Sequence, residues 1–201
     1  MKEILRPFLK KLGFKKNGSF IEKSFEEFSV IFMIQKSQFS PGDFRILVGV
    51  DIHNYAEIFP ERNAERYSFL CLRLSLNELV PNAEGAWYTS GKKLDDTGYF
   101  SELCSLIDNV TKMFFEGKTL IQVLENVYLE KCNPNAYEYL IVTQVKTDLE
   151  KAKRLYAEYQ IKMEPRIRAI KERVKSEEGN GVLMELEELS SRMLKFIESN
   201  T

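Results

Sequence analysis

The chain has 201 residues, 44% hydrophobic and 12% aromatic, which is enough apolar surface for a sizeable core but short for two full domains. Its 29 Lys and Arg against 30 Asp and Glu leave a net charge of -1, so bulk electrostatics single out no class of partner. No apolar run approaches the roughly 20 residues of a membrane span, and the N-terminal segment breaks its hydrophobic stretches with charges, so a cytoplasmic protein with no membrane partner is expected.

Ile4, Leu5, Phe8, Leu9 and Leu12 recur at helical spacing with lysines between them, and Gly13 suits the position that ends such a helix. Asn17-Gly18 marks a turn, and residues 19–24 read as a short strand. Phe28, Val30, Phe32 and Ile34, then Phe44, Ile46, Val48 and Val50, alternate along two runs joined by a loop containing Ser40-Pro41-Gly42-Asp43. That is a β-hairpin with one buried face. Its other face holds Ile31, Met33 and Leu47 beside polar residues, which predicts cover on both sides of the sheet. Residues 51–67 read as a loop with a short helix near residues 60–64. Residues 68–76 alternate through Leu70, Leu72, Leu74 and Leu76 and read as a further strand, and residues 77–91 as mostly loop.

From Thr97 the period becomes helical, with Tyr99, Leu103, Leu106, Val110, Met113 and Phe114 as the stripe and Gly117 beyond it. Thr119-x-x-Gln122 is a capping box opening a second helix, and Asn133-Pro134 stops that helix and caps the next. Thr147-x-x-Glu150 is another capping box, Pro165 is expected to kink or end the long helix that follows, and Gly179-Asn180-Gly181 reads as a turn. A last helix places Val182, Leu186, Leu189, Met193 and Phe196 on one face. Residues 146–175 carry ten Lys and Arg against five acids, and residues 176–201 carry six Glu against Arg192 and Lys195. The two arms are therefore expected to pair.

Chemistry-bearing residues are sparse. His53 is the single histidine, and Asp51 stands two residues before it, placed to orient an imidazole if the strand continues. They are the only catalytic candidates, and a solvent-facing loop histidine explains His53 better. Cys71, Cys104 and Cys132 show no CxxC and no histidine at ligand spacing, so reduced thiols and no metal site are expected. The glycines match no phosphate-cradling motif, so no cofactor is expected. Gln35, Ser37 and Arg45 at the hairpin end, with Trp87, form a candidate binding set. Lys10, Lys11, Lys15 and Lys16 around Phe14, with Lys151 and Arg154 in the second basic segment, are the material of a nucleic-acid surface using residues 1–23 and 146–175.

The order LRPFLKKLGFKKNGSF, IQKSQF, FRILVGV, CLRLSLNELVP and AWY resembles a large family of bacterial domains of unknown function over roughly residues 1–130. The resemblance implies a small α+β domain, sometimes carried near toxin-immunity genes, with no catalytic residues to transfer. The expected fold is α+β: an antiparallel sheet of about four or more strands packed by N-terminal and central helices (residues 1–132), followed by a helical hairpin extension (residues 133–201) turning near 179–181. The leading functional expectation is a non-catalytic interaction or immunity-like protein that binds a protein partner or itself. A nucleic-acid accessory protein is the alternative, and an enzyme using His53 is the third.

Overall fold

The computed structural model describes residues 9–17, 20–36, 38, 43–62, 67–80, 88–89, 97–173 and 177–201. The chain forms two compact units, residues 1–123 and 124–201. In the first, helix α1, of which residues 9–11 are described, closes as a Schellman motif: Phe14 N–H reaches Leu9 C=O at 2.9 Å and Gly13 N–H reaches Lys10 C=O at 3.1 Å. Gly13 takes φ 81°, a left-handed value that glycine adopts without strain.

Strands β1 (Lys15–Asn17), β2 (Phe20–Ser24), β3 (Phe28–Lys36), β4 (Asp43–Ile52) and β5 (Arg73–Ser75) follow one another in space as an antiparallel sheet, with β6 (Tyr88–Thr89) added to β4. The hairpin register runs from Phe28 opposite Ile52 to Lys36 opposite Phe44. Phe28, Val30, Phe32, Phe44, Ile46, Val48 and Val50 are buried on one face. On this side Phe14 meets Phe32 edge-on, ring centroids 6.1 Å apart. The other face is covered too: Ile31 and Leu47 are buried there, and Phe69 meets Phe20 at 5.9 Å. The architecture is the expected α+β one, with cover on both faces of the hairpin.

The segment after the hairpin departs from expectation. Short helix α2 (Tyr55–Ile58) and a 3-10 turn at Pro60–Arg62 follow β4. Instead of a strand over 68–76, the chain forms helix α3 (Tyr67–Cys71), three residues of β5, and helix α4 (Leu76–Leu79). Ser68, Phe69 and Leu72 turn inward with a helical spacing that coexists with the alternating leucines, and Leu70 is left 49% exposed. Ser68 holds the turn in place, its Oγ accepting from Ile52 N–H and donating to Asp51 Oδ1, both at 2.8 Å. The Ser75 N–H donates to Glu78 at 2.6 Å, opening α4 inside what read as loop.

Helix α5 (Thr97–Phe114) buries Leu103, Cys104, Ile107 and Val110, with Phe115 just beyond it. Met113, expected inside, faces solvent, because the buried face runs through Ile107 and Thr111 instead. The expected capping box at Thr119 is present: Thr119 N–H donates to Gln122 Oε1 at 3.0 Å, and Gln122 N–H to Thr119 Oγ1 at 3.3 Å. It opens helix α6 (Leu120–Val123).

In the second unit a π-helical stretch, Leu124–Leu129, ends with Cys132 at φ 54°. Asn133 caps helix α7 (Pro134–Gln144) through Oδ1, which accepts from the N–H groups of Asn135 and Ala136. α7 is buried continuously from Ala136 to Ile141. Helix α8 (Leu149–Arg173) is capped by Asp148 rather than Thr147, with Asp148 Oδ1 accepting from Lys151 N–H at 2.8 Å. The acidic side chain sits one residue nearer the helix and supplies a charge that favours its N-terminus. Pro165 lies inside α8 without ending it. Helix α9 (Glu177–Glu198) contains Gly179, Asn180 and Gly181, so the expected turn is helical; residues 174–176, between the two helices, lie outside the described residues. Leu186, Leu189, Met193 and Ile197 form its buried stripe, whereas Val182 and Phe196 are exposed.

Candidate functional site

His53 follows the end of β4, where its backbone N–H donates to Glu27 C=O at 3.1 Å. Its ring bridges two elements: Nδ1 lies 3.0 Å from the Glu26 carbonyl oxygen and Nε2 lies 3.1 Å from Ser29 Oγ. A carbonyl only accepts, so Nδ1 carries a proton, and Nε2 faces the Ser29 hydroxyl, whose own proton is donated to Ser24 Oγ. A hydroxyl against an oriented imidazole is the arrangement of an activated nucleophile. Ser29, however, is 3% exposed on an interior strand paired on both sides, and its Oγ also meets Ser24 Oγ at 3.0 Å. Asp51 is engaged with Ser68 rather than orienting the ring. The cluster ties the turn between β2 and β3 to the end of β4.

At the other end of the hairpin, Arg45 Nε donates to Gln35 Oε1 at 2.7 Å, joining two cross-strand neighbours. Ser37 and Trp87, the other members of that set, lie outside the described residues. Among the lysines, Lys10, Lys11 and Lys15 are exposed, Lys16 is half-buried, and Lys15 stands opposite Glu22 in the sheet register. Lys151 is paired with Glu125 at 2.9 Å, and Arg154 is exposed.

The densest polar chemistry lies in the helical unit, on residues the sequence did not single out. Glu138 is 1% exposed on α7, and Arg192 Nε of α9 reaches its carboxylate at 3.0 Å while Nη1 reaches Glu188 at 2.7 Å. The sequence signal was a carboxylate inside the run Ala136–Ile141, where every other residue is apolar or aromatic. Tyr137 donates its hydroxyl to Glu158 at 2.9 Å, and Lys162 meets the same oxygen at 2.6 Å. The hydrogen bond from Lys162 holds the Glu158 carboxyl below its usual range, and Glu158 in turn pushes Lys162 up. Burial, reinforced by the bond to Glu158, pushes the Tyr137 hydroxyl up to about 12, and burial does the same for Tyr159. The sign follows: both phenols are protonated in either state below the ordinary value of 10, and the folded state keeps them so up to about 12, so the associated stability is lost as pH rises across that window. Spectrophotometric titration at alkaline pH is expected to show tyrosines that ionise late and together with unfolding of the helical unit.

The expected pairing of basic and acidic arms is realised only in part. Lys171 meets Glu187 across α8 and α9 at 3.2 Å, but Lys153–Glu150, Lys162–Glu158 and Arg168–Glu164 pair within α8. Helical neighbours three or four residues apart need no partner helix to find one another. The outer surfaces of α8 and α9 retain large apolar side chains: Ile161 is 73% exposed and Met184 68%, with Val182, Leu194 and Phe196 also exposed. An open depression of about 480 Å³ lies beside Ile161, lined also by Tyr159, Met163, Ile167 and Ser190 among others. No group of His, Cys, Asp and Glu among the described residues is arranged to hold a metal ion.

The sequence pattern of one family, described as a domain of unknown function (DUF4304), matches residues 5–117. No curated protein and no solved structure matches the chain. The matched segment carries α1, the whole described sheet and α5, and stops before the helical unit begins. The chain therefore belongs to the DUF4304 family, whose domain it carries at residues 5–117.

Proposed function

We propose that the chain is a non-catalytic, cytoplasmic bacterial protein whose helical unit binds another protein, in the manner of an adaptor or immunity-like module. The observation that carries this reading is where the exposed apolar surface lies. Of the seven large hydrophobic side chains exposed among the described residues, five (Ile161, Val182, Met184, Leu194 and Phe196) belong to α8 and α9. Exposed apolar side chains gathered on one pair of elements support a protein-binding role for those elements. No helix among the described residues is long and apolar enough to cross a membrane.

The basic segments support nucleic-acid binding less well, since much of the positive charge of α8 is taken up by neighbouring glutamates. The reading is tested in the full-length chain with the double variant Met184→Glu, Leu194→Glu. Both positions are exposed, so the fold is expected to survive. Proteins retained by the tagged wild type from its own host extract should be lost with the variant. Retention of the same proteins at the same level by both forms would contradict the proposal.

A further inference from the structure

We infer that the outward face of α8 packs antiparallel against α8 of a second copy of this chain. The inference rests on the reading of the helical unit as a protein-binding surface and names its occupant. α8 turns Ala152, Leu155, Tyr159 and Met163 inward. At about 100° per residue, Arg154, Ile161, Pro165, Arg168 and Glu172 gather along the opposite side, and all five are exposed. Ala157 and Ala169 flank them, also exposed and small enough to allow close approach.

The order of charges on this face complements itself when reversed. Arg154 and Glu172 each lie nine residues from Met163, Glu158 and Arg168 five, and Ile161 and Pro165 two. An antiparallel pair of α8 helices related by a two-fold axis near Met163 brings Arg154 towards Glu172 and Ile161 against Pro165, whereas Glu158 is turned to Tyr137 of α7. The symmetry makes each contact twice. A parallel pair in register would set Arg154 on Arg154 and Glu172 on Glu172, so like-charge repulsion selects the antiparallel arrangement. Arg154 and Glu172 make no ion pair among the described residues and are available for this contact, whereas Glu158 and Arg168 already hold partners on their own helix. Ile161, the most exposed of the large apolar side chains, falls at the centre, where it would lose its contact with water. Residues 154 to 172 span about 27 Å of helix. That is a contact at the small end of specific interfaces, where reversible association is the rule.

Sedimentation equilibrium of the full-length chain from about 1 to 200 µM, at low salt, tests the pairing. The wild type is expected to pass from monomer to dimer over that range. Ile161→Asp, Arg154→Glu and Glu172→Arg should each weaken the dimer at least tenfold, and Arg154→Glu combined with Glu172→Arg should restore it. Unchanged far-UV circular dichroism will show that the variants remain folded, as expected for exposed positions. A wild type that stays monomeric, a dimer indifferent to the three single changes, or a charge exchange that restores nothing would each overturn the inference. A monomer that still retains a different protein through Met184 and Leu194 overturns the self-pairing and leaves the proposed function standing.

Discussion

Gly49→Ala is expected to destabilise the sheet unit by about 3 kcal/mol, read as a lowered urea midpoint at unchanged slope. Gly49 sits in β4 with φ in the ordinary range, so backbone strain is not the reason. A Cβ there would lie 2.7 Å from the Leu72 carbonyl oxygen, 2.9 Å from Phe69 Cδ2 and 3.1 Å from Arg73 Cα. Two of those three atoms belong to backbone, which cannot swing aside as a side-chain end can. The glycine is what allows α3 and β5 to press directly on the central strand. Gly181 provides the contrast: it lies in α9 with nothing within 4 Å of its added Cβ. Gly181→Ala should therefore raise the stability of the helical unit by up to about 1 kcal/mol.

Arg192→Met is expected to cost the helical unit about 3 kcal/mol, because it removes the cation from a carboxylate that is almost wholly buried. Glu138 is 1% exposed and its bond to Arg192 spans α7 and α9, so the loss falls on the packing of both helices. Adding Glu138→Met to that variant should recover most of the stability, since an apolar pair of similar volume requires no desolvation. If the double variant is no more stable than Arg192→Met alone, the ion pair is not what positions these helices. Glu188→Gln is the internal comparison, because Glu188 is exposed and shares the same arginine. Its removal should change stability by well under 1 kcal/mol.

The elements legible in the sequence are those whose cause is local. The hairpin strands alternate strongly enough to fix both their type and their buried face, and the observed register, Val30 opposite Val50, keeps both valines on that face. The caps at Thr119 and Asn133 are equally local, since a side chain three residues from its target carries the whole signal. The strand expected over residues 68–76 is replaced by α3, β5 and α4 because helical and alternating patterns overlap in a leucine-rich stretch. Only the close approach of Phe69 and Leu72 to Gly49 decides between them, and that contact joins residues far apart in the chain. Gly179 and Gly181 looked like a turn because two glycines weaken a helix, yet the buried stripe from Leu186 onward supports α9 through them.

The same distinction governs the candidate sites. The contact of His53 with Ser29 depends on the pairing of β3 with β4 and is invisible as a motif, since the two residues lie 24 apart in the chain. Glu138 was legible as an oddity, a carboxylate in an otherwise apolar run, but its partner Arg192 lies 54 residues away. The reversed charge order of α8 is written plainly in the sequence. It acquires meaning only when the structure shows which side of the helix is already occupied.

The central proposal is that the helical unit binds protein, a second copy of this chain included. Hydrogen exchange followed by mass spectrometry at about 1 and 200 µM full-length chain tests it most directly, because bound segments exchange more slowly as the complex fills. Slower exchange at high concentration confined to peptides spanning residues 154–172 is the expected result. Slowing confined to the hairpin or to any other part of residues 1–123, with α8 unchanged, would contradict it.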